Sequence, residues 1–450
     1  LWEGWAGPIS LALGASYRKE SILQLVQDPT NPPSDHVNGR PVLCPGAVGG
    51  LRHAGTDCNN TVGFQFSKVS NIKGQADVKE VFGETLIPLF DNGKDTNASL
   101  NIAVRWADYD TSGVIWAYKG GLDFSVFRDL RLRGTYSRDV RAGNLSERFD
   151  RTGGFANNLT DPRDGSAING VTSFSGGNPN VLPEKADTYT AGLIYEPSWL
   201  PGVSASVDWY KISIKDAIGQ VGLQQVLDRC FEENAQEFCD LITLDSSGNI
   251  ILIGDAYVNV AQARVEGIDA ELGYNGDVSL LGGNESIGAR VFASRLLERS
   301  DANSTGVTTD FVGDIGLSPS SGFSTPYVRF KATGNFTYRN GPFNMFLQGR
   351  VIGGGVRDPD LVEGPGTVGG DAGIENNDVP ATFYADLRLG YEFDLGGANT
   401  ELWGAVTNLF DQDPRITPYY AAFPGNVLVT NTSLYDVLGR RFTVGVKLRM

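Results

Sequence analysis

Histidine is almost missing from this chain of 450 residues: only His36 and His53 occur. That leaves little for imidazole acid–base chemistry or for a histidine-based metal site. Basic residues are outnumbered too, 37 Lys plus Arg against 53 Asp plus Glu, and the formal charge of −16 argues against a nucleic-acid partner. No apolar run reaches the about 18 residues that a membrane-crossing helix needs, so no transmembrane helix is expected. Barrel strands would escape that test, because their alternating hydropathy averages out. Leu1 to Trp5 lacks the basic and apolar regions of a signal peptide, so the chain is expected to begin mid-protein or after processing. There is no G-x-S-x-G elbow and no H-E-x-x-H helix. No enzymatic activity and no cofactor is expected.

Cysteine is scarce but ordered. Cys44 and Cys58, then Cys230 and Cys239, form two local pairs in stretches without strand periodicity. An even count in local pairs predicts two loop-stapling disulfides and an oxidising compartment. The alternative, a metal site from both members of the first pair with His36 and His53, fits no standard zinc spacing.

What the chain has in abundance is alternation. Phe442, Val444, Val446, Leu448 and Met450 point one way, with Arg441, Thr443, Lys447 and Arg449 opposite. The same period of two recurs at Leu100/Ile102/Val104/Trp106, at Val114/Trp116/Tyr118 and at Leu130/Leu132/Gly134/Tyr136. It returns at Val328/Phe330/Ala332/Phe336/Tyr338 and at Phe383/Ala385/Leu387/Leu389/Tyr391/Phe393. Such runs suit tilted membrane-spanning strands of about 9–11 residues, and about fourteen are expected. Short links near 91–97, 128–129, 198–202, 275–284, 340–342 and 395–399 alternate with long ones near 20–76, 142–183, 218–254, 299–325, 354–381 and 411–436. Only 110–112 is short where a long link is due. In an up-and-down barrel alternate links lie on opposite rims, so every long loop emerges at one end, as in outer-membrane barrels. Aromatics near strand ends, such as Trp106, Trp116, Tyr195 and Trp199, suit interfacial girdles or ordinary cross-strand pairs.

Several segments resemble the C-terminal part of TonB-dependent outer-membrane receptors. Arg133-Gly-Thr-Tyr-Ser-Arg-Asp-Val-Arg-Ala-Gly-Asn-Leu-Ser-Glu147 is similar to that family's strand-to-loop segment, with Gly143 in place of its proline and Arg148-Phe149 in place of Leu-Phe. Gly177-Asn-Pro-Asn-Val-Leu-Pro-Glu184 resembles its Gly-Asn-Pro-x-Leu-x-Pro-Glu, and Val406-Thr-Asn-Leu-Phe410 and Leu438-Gly-Arg-Arg-Phe442 follow in the family's order. The resemblance implies an all-β, antiparallel transmembrane β-barrel, residues 1–450 supplying about the last 14 of 22 strands. The plug domain, the TonB box and the first barrel strands are then expected outside this chain. It further implies a bacterial outer-membrane location, contact with lipid, energy relayed by TonB through the plug region, and a monomeric barrel when complete. The solute would be scarce and too large for porins: a siderophore, cobalamin, an oligosaccharide or similar. The alternatives are a passive porin-like channel and a soluble all-β carbohydrate-binding protein.

Lumen-facing charges are expected mainly to line the wall and contact the plug. As ligand contacts the best placed are Asp139, Arg141, Asn144 and Glu147, with Tyr419 and Tyr420 able to stack on a ring from an extracellular loop. Gly364-Pro-Gly-Thr-Val-Gly369 matches G-x-G-x-x-G but lacks the preceding strand and following helix of a dinucleotide site. Glu232 and Glu233, beside Cys230, read as a solvated acidic patch.

Overall fold

The alternating runs form long strands in the computed structural model, which describes residues 2–24, 71–156, 158–279, 281–302, 308–316, 326–357, 362–364, 373–417 and 430–449. Among these, fourteen strands follow one another as an antiparallel meander. They are β1 (Gly7–Gln24), β2 (Ile72–Asp91), β3 (Asn97–Tyr109), β4 (Gly113–Phe127), β5 (Leu130–Arg141), β6 (Glu184–Tyr195) and β7 (Val203–Gly219). Then come β8 (Val258–Val278), β9 (Glu285–Ala302), β10 (Phe330–Asn340), β11 (Phe343–Ile352), β12 (Thr382–Leu395), β13 (Ala398–Thr407) and β14 (Arg441–Arg449). Two three-residue strands, Trp2–Gly4 and Thr308–Asp310, extend the sheet beside β1 and β9.

Each strand pairs with its sequence neighbours, as short turns require. The tightest turns carry the residues their geometry demands. Gly396 and Gly397, both at positive φ, join β12 to β13, and Gly341, also at positive φ, opens the link from β10 to β11. The link at 110–112 is short, as the sequence predicts, and lies on the rim of the long links, opposite the remaining short turns.

Paired residues share a face, so the register sorts every side chain. One face carries Leu13, Val81, Ile102, Val104, Leu122, Leu132, Leu193, Val207, Leu272, Val291, Leu389, Leu402 and Val446, all exposed. Val444 is 77% exposed there. The other face carries most of the charges. A soluble sheet would bury such an apolar face; here buried apolar residues gather instead in the loops and at the long-loop ends of strands. Tyrosine and tryptophan stand near both rims of the apolar face, Trp106, Trp116, Tyr118 and Tyr189 toward the long loops and Tyr195, Tyr274, Tyr338 and Tyr391 toward the short turns. No described helix is long and apolar enough to cross a membrane.

The long loops fold. The 142–183 and 220–257 links share a four-stranded sheet of Arg151–Ala156, Val171–Gly176, Ile250–Asp255 and Ile242–Leu244. The second and third of these strands pair in parallel. Against it pack two helices, Leu223–Phe231 and Gln236–Cys239, around buried Val226, Leu227, Phe238 and Ile253. A second buried cluster, Ile315, Val328, Ile352, Val379, Tyr384 and Tyr435, ties three further loops together.

Candidate ligand-binding surface

The polar face is a ladder of inter-strand ion pairs. Arg105 bonds Glu80, Arg131 bonds Asp123 through three contacts of 2.6–2.9 Å, Arg133 reaches Asp208 at 2.6 Å, and Arg388 reaches Glu401 at 2.6 Å. Between these pairs lie open recesses. One of about 410 Å³ is lined by Arg133, Asp208, Asp269, Glu271, Lys331 and Thr333; one of about 710 Å³ by Glu84, Asn101, Lys119, Asp123, Arg131 and Thr135. The density of both signs suits a wall that holds hydrated or polar matter rather than lipid.

Three of the predicted contact residues come together. Asn144 caps a short helix, Leu145–Phe149, in a capping box: its Oδ1 accepts from the Glu147 backbone N at 2.8 Å, and Glu147 Oε2 accepts from the Asn144 backbone N at 2.8 Å. Arg141 grips the same Glu147 carboxylate with both terminal nitrogens, at 2.9 and 3.0 Å, and donates through Nε to Glu184 at 2.6 Å. Glu184 in turn accepts from the backbone N of Ile218 at 2.8 Å. These groups saturate one another and fix the root of the 142–183 loop. Asp139 stands apart, half-exposed beside Lys119 on the polar face, accepting from Ser137 at 2.7 Å. Tyr419 and Tyr420 lie outside the described residues, as do Cys44 and Cys58. The Cys230–Cys239 pair is a disulfide between the two loop helices.

The same root holds a buried guanidinium. Arg148 is 1% exposed and donates to the carbonyls of Gly143 (3.0 Å), Pro179 (2.8 Å) and Val181 (3.2 Å) and to Ser112 Oγ in the 110–112 link. Burial pulls its pKa below the ordinary arginine value. Next to it, the Phe149 ring lies so close over Gly74 of β2 that a Cβ there would sit 2.1 Å from ring carbon.

A second group at the long-loop end was not legible beforehand. The Arg299 guanidinium stands over the rings of Tyr327 (5.0 Å) and Phe311 (5.7 Å) while bonded to Asp301. Across the polar face Arg350 stands 5.4 Å over Tyr384 and 3.6 Å from Asp386. Strand periodicity places Arg350, Tyr384 and Asp386 on one face, but Phe311 and Tyr327 reach Arg299 only because their loop folds back. The half-buried Arg299 group presents a flat cation and a π surface together, whereas the Tyr384 ring is 1% exposed and belongs to the buried cluster.

The polar lumen-type wall, exposed apolar face and one-sided loops describe a membrane barrel of a particular kind, and the family comparison decides which: the model described as TonB dependent receptor-like, beta-barrel matches residues 2–409. The chain belongs to that family. Solved structures agree on the fold. The ferric enterobactin receptor PfeA of Pseudomonas aeruginosa, solved as a Q482A mutant in complex with enterobactin, superposes with TM-score 0.60 at 15% identity, over 97% of this chain and 51% of its own. The siderophore receptor PirA of Acinetobacter baumannii gives TM-score 0.54 at 16% identity, over 91% and 49%. The FrpB iron transporter of Neisseria meningitidis (F3-3 variant) gives 0.50 at 15% identity, over 98% and 53%. The TonB-dependent receptor barrel described here thus spans about half the length of the receptors it matches. No curated protein matches its sequence.

Proposed function

We propose that this barrel serves an energised outer-membrane receptor that captures an iron chelate on its long-loop side. Short turns would face the periplasm and long loops the exterior. The observation that carries the reading is the guanidinium–aromatic group of Arg299, Phe311 and Tyr327, half-buried at the long-loop end of the polar face, on a receptor barrel. An anionic, ring-bearing chelate is the solute such a surface fits: the rings stack while the guanidinium meets the charge. Neighbours of this fold that bind siderophores or carry iron support the same class. Asp139 and the loop residues Tyr419 and Tyr420 are further proposed contacts, while Arg141, Asn144 and Glu147 hold the loop root. TonB would act through a plug, and the complete barrel would be monomeric.

The test is uptake of labelled ferric siderophores by a deletion strain carrying the gene, in the presence and absence of TonB. Uptake restored by the gene and lost without TonB is the expected result. Restored uptake that survives loss of TonB points to the passive channel, and no restoration with any iron chelate overturns the solute class.

A further inference from the structure

The apolar face is not uniformly apolar. On β10–β14 none of its described residues is charged. On β5–β9, toward the long loops, it carries Arg138, Lys185, Lys211, Lys215, Arg264 and Arg295 against Asp187, Asp216, Glu266 and Glu298. The excess of cations is local, in a chain whose net charge is −16.

The acids are engaged. Asp187 takes both Arg138 nitrogens at 2.8 Å, and Glu266 takes Lys211 at 2.8 Å and the Trp209 indole N–H at 2.9 Å. Glu298 accepts from Ser300 at 2.9 Å, and Asp216 lies 3.6 Å from Lys185. Above this paired layer Lys185 stands directly opposite Lys215 in register, with Arg264 on the adjoining strand opposite Ser213. Like charges directly opposite destabilise a sheet, and of these two only Lys185 has a carboxylate near it, that of Asp216. Lys215 and Arg264 have no carboxylate within 4 Å among the described residues, and both are exposed. Immediately below stand Tyr118, Tyr136 and Tyr189, ring centroids 6.1 and 4.8 Å apart, at the height where aromatics meet the membrane interface.

We infer that Lys185, Lys215 and Arg264 form a binding surface for the phosphate-bearing headgroup of a lipid in the outer leaflet. The inference rests on the proposed outer-membrane orientation. Cations just above an aromatic band lie at headgroup depth, and three of them facing a single carboxylate, Asp216 beside Lys185, suit a multiply charged phosphate rather than a zwitterion.

The test titrates the full-length receptor in detergent with a bis-phosphorylated acylated disaccharide lipid, followed by native mass spectrometry. The same lipid without phosphates and inorganic phosphate form parallel arms. Binding is expected to weaken about fivefold per cation removed, so about a hundredfold in K185Q/K215Q/R264Q. Lys94→Gln, in the short-turn rim, should leave it unchanged. If the triple variant loses heat-modifiable migration, Lys215→Gln alone carries the test with its single fivefold loss. Equal binding of the dephosphorylated lipid, undiminished binding by the variants, or free phosphate binding as tightly as the lipid overturns the inference. A wild-type protein without heat-modifiable migration overturns the barrel reading, and this surface with it, before any lipid is added.

Discussion

Arg133 and Asp208 bond across an intervening strand, at 2.8 and 2.6 Å, because the residue between them is Gly192. Register puts Gly192 of β6 directly opposite both. A Cβ on it would sit 2.0 Å from Asp208 Oδ1 and 3.2 Å from Arg133 Nε. Glycine here serves neither a turn nor an unusual φ; it leaves room for a salt bridge to lie flat over the strand. The substitution Gly192→Ala should therefore displace that pair. Both groups are partly exposed, so the expected loss is modest, about 1 kcal/mol. A lower temperature for the heat-modifiable gel shift would register it, and an unchanged temperature would show that the pair has another arrangement of equal energy.

Reduction of Cys230–Cys239 should loosen the loop cap and leave the strands intact. The bridge closes a short loop, with a sequence separation of 9, between two helices whose core is Val226, Leu227 and Phe238. Chain entropy assigns such a closure about 2–3 kcal/mol. Limited proteolysis should begin cutting within 220–257 after reduction, while the heat-modifiable shift persists. Equal resistance before and after reduction would mean the core alone holds the cap.

Asp161 gives the cap an acid limit. Its carboxylate accepts from Arg163 Nε at 2.9 Å and Nη2 at 2.7 Å, and from the Arg163 backbone N at 3.0 Å. The Arg163 hydrogen bonds hold its pKa below the usual aspartate value, against the opposing effect of burial. Arg163 also stands 4.6 Å over Phe231 and donates to Gly248 O, so the pair joins separate parts of the cap. A depressed carboxyl pKa stabilises the fold above the unfolded value of about 4 and loses that contribution as pH falls through the folded one. Cap protection from proteolysis should fall in wild type as the pH drops below about 4. In Asp161→Asn it should be lower at neutral pH, by about 1.5–3 kcal/mol, and flatter with pH. A mutant with the wild-type profile would remove Asp161 from the account.

Arg148 should matter more than any surface arginine. Arg148→Met keeps the volume of the stem but leaves the carbonyls of Gly143, Pro179 and Val181 without their donor. Unsatisfied buried acceptors cost about 1–3 kcal/mol each where water cannot replace the bond. Hydrogen exchange of the 142–183 loop root should accelerate by at least tenfold. Exchange at the wild-type rate would mean that water takes over all three carbonyls.

The fourteen strands and the sidedness of the loops could be read before the structure, because a period of two and the lengths of links survive any tertiary detail. Membership of the receptor family was legible for the same reason, through motifs such as Arg133–Glu147 that keep their order. The loops were different. Asn144 and Glu147 read as ligand contacts, yet their spacing is also that of a capping box, and the structure uses it so. Arg148 looked like a mere replacement of the family's leucine, since nothing local tells that four acceptors converge on it from as far away as Ser112 and Val181. Arg299 met Phe311 and Tyr327 only through loop folding, which has no periodic signature.

The parallel pairing of Val171–Gly176 with Ile250–Asp255 reaches beyond geometry. Two loops that look independent along the chain share one sheet and one core, so neither can open while the other stays closed. Their amides should exchange with a common rate, and ligand capture that orders one would order both. Natural variation in one loop must also be answered in the other, which makes the pair, and not the single loop, the unit on which specificity can change.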